Sequence, residues 1–472
     1  IIDGIVDMGA YEYQVLLPSL TVASPNGGEE LTAGTTHEIT WTSVGNIDNV
    51  KIEYSVNNGT DWMEIVDNTE NDGSYDWDIP NNPSEQCLLR ISDVDGDLSD
   101  ESDAVFSILP LWYVDRDIAV SGTGTSWAEA FKTIQEAIDA ADDGHAIWVK
   151  QGTYFLTSTI DVDKSVFIYG GFDGTETNKS ERNWRTNITT VDGWNTVSCF
   201  YIPADAILDG FTIAHGQTTY GGGGMYISSS SPVVINCTFF ENTADINGGG
   251  AIHSYDASPT ITNSLFLEND GGSNGGGAIF NWDCPSVVVT NCTFSQNEGG
   301  SSGGGAIYNY NSLMVVTNCI LWGDSAYLGS EIYNEGGTLT ISHCDLSGGM
   351  VGVVNAAGGT VNDDGTNIGL DPLFAAAYHL QAGSPCIDAG DNAAIPPDTT
   401  DLDNDGDTTE PIPLDLDGGP RILDGVVNMG AYESVYQSLG DELAIDLGAF
   451  GLWDVDIAGA WRQISGSDVE TM

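Results

Sequence analysis

Gly222-Gly-Gly-Met-Tyr226, Gly248-Gly-Gly-Ala-Ile252, Gly275-Gly-Gly-Ala-Ile279 and Gly303-Gly-Gly-Ala-Ile307 follow one another at intervals of 26, 27 and 28 residues. Three further rows keep step with them: Asn236, Asn263, Asn291 and Asn318; Phe239, Phe266, Phe294 and Leu321; Asn242, Asn269, Asn297 and Asp324. A period of this length with short apolar strands and no helical spacing fits one coil of a stacked parallel β structure. Neighbouring coils then lie about 4.8 Å apart, so equivalent residues form ladders along the axis. Ile252, Ile279, Ile307 and Ile332 predict one inward row and the phenylalanines another. The Asn236 row predicts a turn ladder with amide bonded to amide. The glycine triplets predict turns that a β-carbon would obstruct.

Outward from the repeat, Ser126-Trp-Ala-Glu129 reads as a capping box, and Phe131, Ile134, Ile138 and Ala141 follow at helical spacing up to Gly144. One amphipathic helix is therefore expected to cover the open end of the stack. Residues 19–109 break into short strands at Glu38–Trp41, Val50–Ser55, Trp62–Val66, Ser74–Ile79, Cys87–Ser92 and Ala104–Ile108. That pattern predicts an antiparallel β-sandwich. Asp3 to Glu12 nearly repeats Asp424 to Glu433, with eight of ten positions identical. Residues 1–18 are accordingly read as the tail of a preceding module. Residues 434–472 alternate again and read as the start of a further β module. The chain begins at Ile1 with no basic segment leading into an apolar one, as expected of a piece of something longer.

Two resemblances bear on these domains. Ser24-Pro-Asn-Gly-Gly-Glu-Glu-Leu31 with Ile39-Thr-Trp41 resembles immunoglobulin-like modules of secreted microbial proteins. Trp112-Tyr-Val-Asp115, Gly170-Gly-Phe-Asp-Gly174, Arg182-Asn-Trp184, Asp371-Pro-Leu-Phe374, Ser384-Pro-Cys-Ile-Asp-Ala-Gly390 and Met429-Gly-Ala-Tyr-Glu433 occur in that order. Together they resemble the pectin-lyase-like, right-handed parallel β-helix domains of bacterial surface proteins, including the choice-of-anchor group. The expectation is an all-β chain: an immunoglobulin-like sandwich, then a right-handed parallel β-helix over 110–433 with one capping α-helix.

The 472 residues carry 70 Asp and Glu against 11 Lys and Arg, a net charge of −59. So acidic a surface repels phosphate backbones and anionic membranes. None of the eleven basic residues falls between 186 and 420. Elimination from a uronate needs positive groups or a metal to neutralise the acid, so the regular coils are poorly suited to lyase chemistry. Glu241, Glu268, Asp283, Asp324 and Glu331 are available to a hydrolase but are scattered along the sequence, and His215 reads as a loop histidine.

Two acidic loops stand out. Asp401, Asp403, Asp405 and Asp407, with Glu410, surround a glycine at alternate positions, and Asp93, Asp95, Asp97 and Asp100 repeat the pattern in shorter form. Both resemble spacings that converge oxygens on Ca²⁺, although Ile412 holds the place of an EF-hand's last ligand. Carboxylates drawn together to about 4 Å repel by about 4 kcal/mol at an effective dielectric of 20, so a compact loop of this kind calls for a cation. His253, Phe280, Tyr308 and Tyr333 each follow an inward isoleucine, so alternation turns them outward, where they stack on one another or meet a ligand or interface. Cys237, Cys292, Cys319 and Cys344 read as small buried side chains, with a Cys292–Cys319 disulfide within reach. The functional expectation is a non-catalytic, extracellular structural or adhesive protein of the bacterial cell surface: a Ca²⁺-stabilised rod or filament subunit that self-associates or meets neighbouring modules of one fibre. The alternative is a carbohydrate-binding or carbohydrate-degrading (glycoside hydrolase-type) β-helix with a polysaccharide partner.

Overall fold

The computed structural model describes residues 17–301, 303–399, 401–403, 408–423 and 425–433, with the strand backbones 453–455 and 461–463. It divides into two units, Ile1–Ser434 and Val435–Met472. The second contributes an antiparallel pair, Trp453–Val455 with Trp461–Gln463. Of the expected module tail, residues 1–18, all but 17 and 18 lie outside the described residues.

In the first unit, β1 (Ser19–Ser24), β3 (Thr36–Val44) and β6 (Ser74–Asp78) form one antiparallel sheet. The facing sheet runs β2 (Glu30–Thr32), β9 (Phe106–Leu109), β7 (Ser84–Asp93), β4 (Asn49–Ser55), β5 (Met63–Glu70), with β8 (Ser99–Glu101) on β7. All six strands expected from the sequence are present. The short edge strands β1, β2 and β8 are additional. Trp41, Ile52, Trp77, Leu89 and Phe106 fill the space between the sheets, as period-two alternation requires.

From Leu111 the chain winds through three parallel sheets. Sheet A begins at Leu111–Val114 and ends at Thr360–Asp363 (ten strands); sheet B runs from Gly152–Phe155 to Asp345–Leu346 (eight); sheet C runs from Ile160–Asp161 to Val353–Ala356 (eight). Each strand pairs with the equivalent strand one coil on, so Ile252, Ile279, Ile307 and Ile332 align in register. Phe239, Phe266 and Phe294 stack with centroids 4.8 and 4.6 Å apart and planes within 5°. The glycine triplets are needed sterically. A β-carbon on Gly304 would collide with the Ile307 carbonyl, and one on Gly277 with the Gly305 carbonyl of the next coil.

The end of the stack is covered by one α-helix, α1 (Ile134–Ala140), whose Ile134, Ala137 and Ile138 enter the β-helix core. The capping box lies later than the sequence reading placed it. Thr133 and Glu136 cap α1, whereas Ser126 caps only a 3₁₀ turn at Trp127–Glu129. Trp148 and Phe172 of the first coils share a core with the sandwich, and Leu111 follows β9 with one intervening residue. The two domains are therefore fused without a linker.

The expected ladder of the Asn236 row keeps one rung, Asn263 Nδ2 to Asn236 Oδ1 at 3.5 Å, and is otherwise replaced. Asn236, Asn263, Asn291 and Asn318 sit at a corner with φ between +46° and +55°. Three of their amides turn outward, from Asn263 to the Leu414 carbonyl (2.7 Å), from Asn291 to that of Asn428 (3.5 Å) and from Asn318 to that of Asp391 (3.0 Å). A longer amide ladder runs through the buried row Asn242, Asn269, Asn297 and Asp324, with successive side chains 3.0, 2.9 and 2.7 Å apart. The outward corner amides hold a strap, residues 371–433, which returns along the flank of the coils. Its Leu380, Cys386 and Met429 pack on Ile320, and its Ile395, Ile412 and Val427 on Ile235. The eight cysteines are buried free thiols, so the Cys292–Cys319 disulfide is not formed.

Candidate metal centre

The 401–410 loop belongs to the strap. Pro397 and Pro411 bridge its base, Asp398 N–H donates to the Glu410 carbonyl at 2.7 Å, and Ile412 N–H donates to that of Pro396 at 2.9 Å. This closure brings one carboxylate oxygen each from Asp398, Asp403 and Glu410 within 4.8 Å of one another. Asp398 is buried and also accepts the Leu402 N–H at 2.6 Å. Asp401 is buried with φ +48°, and its carbonyl accepts from Lys179 Nζ at 2.7 Å. Burial pushes the Lys179 ammonium down to about 8 while the Asp401 and Asp398 charges oppose that fall. Of the residues expected to bind metal, Asp403 and Glu410 meet here, Asp401 lies beside them, and Asp405 and Asp407 lie outside the described residues. Asp398 was missed because it precedes the alternating run. Its signal was Pro396-Pro397 facing Pro411 across a hairpin.

Three converging carboxylates are hard oxygen donors suited to Ca²⁺. The second acidic loop is built differently. Asp93 Oδ1 accepts the Asp95 N–H at 3.1 Å, closing the β7–β8 turn, and Asp100 Oδ2 accepts the Val22 N–H at 2.8 Å. Asp95 and Asp97 are exposed, and among the described residues no three-carboxylate group forms there.

The outward row is not open to a ligand. His253, Phe280, Tyr308 and Tyr333 are only 6, 4, 7 and 8% exposed, because their rings stack on one another at 4.8, 4.7 and 5.2 Å. Burial pushes His253 down to about 4, so it stays neutral at neutral pH. His215 lies in a turn, as the sequence reading has it, and has two acidic neighbours. Its φ is +50°, its Nδ1 lies 2.9 Å from Asp192 Oδ2, and its Nε2 lies 3.3 Å from Glu241 Oε2 on the next coil.

The model of a family described as the right-handed β-helix region matches residues 133–273 and 246–368, together half of the chain. The chain belongs to the right-handed β-helix family. A solved structure of pectate lyase Pel9A is 16% identical over 68% of this chain and 96% of that one, with a TM-score of 0.34. No curated protein matches the sequence.

Of the cations that border the regular coils of this right-handed β-helix, Arg185 is exposed and lies 3.5 Å from Asp417, and two others are buried in ion pairs. Arg182 forms a buried fork on Asp209, both contacts 2.6 Å, and the fully buried Arg421 binds Glu433 at 2.7 Å. The coil interior holds acid instead. Glu331 replaces the small inward residue that is Ala278 and Ala306 on earlier coils, and it faces Asp324, the last member of the amide ladder. Burial raises both carboxyls; the Asp324 charge raises Glu331 further, while a hydrogen bond from Glu331 draws Asp324 part of the way back, so the pair retains a proton on Glu331.

Proposed function

We propose that this chain is a non-catalytic extracellular structural or adhesive rod of a bacterial surface. Its sandwich is an immunoglobulin-like spacer, and its β-helix strap is held by Ca²⁺ at Asp398, Asp403 and Glu410. The observation that carries this reading is the absence of Lys and Arg from 186 to 420, with the flanking Arg182 and Arg421 engaged in buried ion pairs. The regular coils, which carry no Lys or Arg of their own, have little to neutralise an acidic sugar during bond cleavage. The covalent continuity of sandwich and β-helix, through one core, supports a stiff rod suited to a surface fibre.

Incubation with polygalacturonate, pectin and neutral polysaccharides is expected to release neither unsaturated uronates nor reducing ends. Turnover of any of them overturns the non-catalytic reading. The degrading alternative has one observation in its favour, the Asp192–His215–Glu241 cluster, and it requires that turnover disappear in His215→Ala.

For calcium, the thermal midpoint of chelator-treated protein is expected to rise on adding Ca²⁺ and to stop responding in Asp398→Asn/Glu410→Gln. At a hundredfold excess over Kd the gain is about 2.7 kcal/mol. A midpoint indifferent to Ca²⁺ removes the metal from the proposal.

A further inference from the structure

Sheet C carries a second outward row, two residues beyond the buried aromatic ladder. Its members Tyr255 and Trp282 are 41 and 37% exposed, and Tyr310 continues the row half-buried. The three strands pair in register on successive coils, and the ring centroids lie 6.2 and 5.7 Å apart. The underlying ladder fixes their positions: Trp282 packs on Phe280 at 6.0 Å and Tyr310 on Tyr308 at 6.2 Å. The row is therefore a pre-formed apolar surface on rigid strands, requiring little ordering on contact.

Immediately beside it, the next residue of each coil forms a parallel row of acceptors: Asp256, Asp283 and Asn311. All three are exposed and all sit in turns with φ near +50°. Aromatic rings flanked by carboxylate and amide oxygens at a one-coil repeat suit a ligand with apolar C–H faces and many hydroxyl donors. They do not suit an anion, since the stretch from 186 to 420 has no Lys or Arg. A second copy placed face to face would oppose one acidic row with another, so charge also disfavours self-pairing here.

We infer that Tyr255, Trp282 and Tyr310, with Asp256, Asp283 and Asn311, bind an uncharged polysaccharide lying along the coil axis, one sugar unit to each coil. Successive ring planes stand at 81° and 77° to each other, so the row offers faces and edges in turn to the C–H groups of the sugars, and the carboxylates accept from the hydroxyls. This rests on the adhesive reading above and gives it a ligand class.

The test is retention of the whole chain on insoluble cellulose, chitin and β-1,3-glucan, and affinity electrophoresis in soluble xylan, mixed-linkage glucan and polygalacturonate. Retention by at least one neutral polymer is expected, with no retardation by polygalacturonate. Trp282→Ala/Tyr255→Ala is expected to weaken that binding at least tenfold at an unchanged thermal midpoint, because both rings are partly exposed. Asp283→Asn is expected to weaken it without affecting the fold. The inference is overturned if no neutral polymer is retained, if the double variant binds as well as the native chain, or if the variant instead changes the sedimentation behaviour, which would mark a contact between copies. Reducing ends are measured in the same incubations. Their release would overturn the non-catalytic reading while leaving the binding surface to be judged by the double variant.

Discussion

Replacing Arg421 with Met is expected to destabilise the β-helix by about 3–5 kcal/mol, because it removes one partner of a fully buried ion pair. Arg421 Nη2 donates to Glu433 Oε1 at 2.7 Å and to the Gly430 carbonyl at 3.1 Å, while Nη1 donates to the Ala431 carbonyl at 3.0 Å and to Asn263 Oδ1 at 3.2 Å. Burial already raises Glu433 to about 7 with the arginine in place, so the variant would drive it to take up a proton beside Asp415 and would leave three neutral acceptors without their donor. Lysine should rescue little, since a single ammonium cannot fork across four acceptors. Arg421→Met/Glu433→Leu should recover much of the loss, because exchanging both charges for apolar groups often approaches neutrality. Equilibrium denaturation measures the three variants, and limited proteolysis reports whether the strap leaves the coils. A loss under about 1 kcal/mol for Arg421→Met, with the strap still protected, would show that the clasp is incidental.

That clasp explains why the closing motif is what it is. Ala431 N–H donates to Thr293 Oγ1, a β-carbon on Gly430 would crowd Thr293 and Ile320, and Glu433 Oε1 also accepts the Asn428 N–H. Met429-Gly-Ala-Tyr-Glu433 is thus the end of a strap shaped to the flank of the coils. The sequence displayed the motif but not its partners, which lie far away along the chain: Thr293 and Ala431 are 138 positions apart.

The coil itself was legible because one period governs every row, and the isoleucine and phenylalanine rows kept their predicted register. The Asn rows were confounded because spacing alone cannot tell a corner from an interior. Both rows recur every coil and both are buried, but a left-handed corner turns the Asn236 row toward the strap, whereas the Asn242 row bonds from coil to coil. For the aromatic row, alternation gave the direction correctly and the burial wrongly. A ring stacked between rings above and below is hidden even when it points outward, and exposure passes to the row two residues on. In the acidic loop the alternating run was visible, but convergence depends on a hairpin whose other arm supplies Asp398.

The Asp324–Glu331 pair gives the second large effect, and it has a definite sign in pH. Both carboxyls are buried with no Lys or Arg near in sequence, and their folded pKa values stand above the unfolded ones. The folded state therefore holds protons more tightly. Its stability is fully present below the ordinary carboxylate range of about 4 and is lost as the pH rises through the raised values of the pair. Asp324 Oδ1 accepts from the Asn297 N–H and Nδ2 at 2.8 and 2.7 Å, which favours its ionised form. The shared proton accordingly resides on Glu331 and is donated to Asp324. Asp345 on the next coil adds a further acidic charge against ionising Glu331, and its own Oδ2 accepts from the Cys386 thiol at 3.1 Å. Glu331→Gln puts a permanent donor where the proton sits. It should leave the protein nearly unchanged in mild acid and stabilise it in alkali by about 3 kcal/mol, the scale of one uncompensated buried charge. Thermal midpoints of both proteins across pH 4–10 measure this: the native curve is expected to fall away from that of Glu331→Gln as the pH rises. Parallel curves would mean that the pair loses its proton without cost. Curves that separate in acid instead would mean that the carboxyls are stabilised as anions, by a cation held inside the last coils.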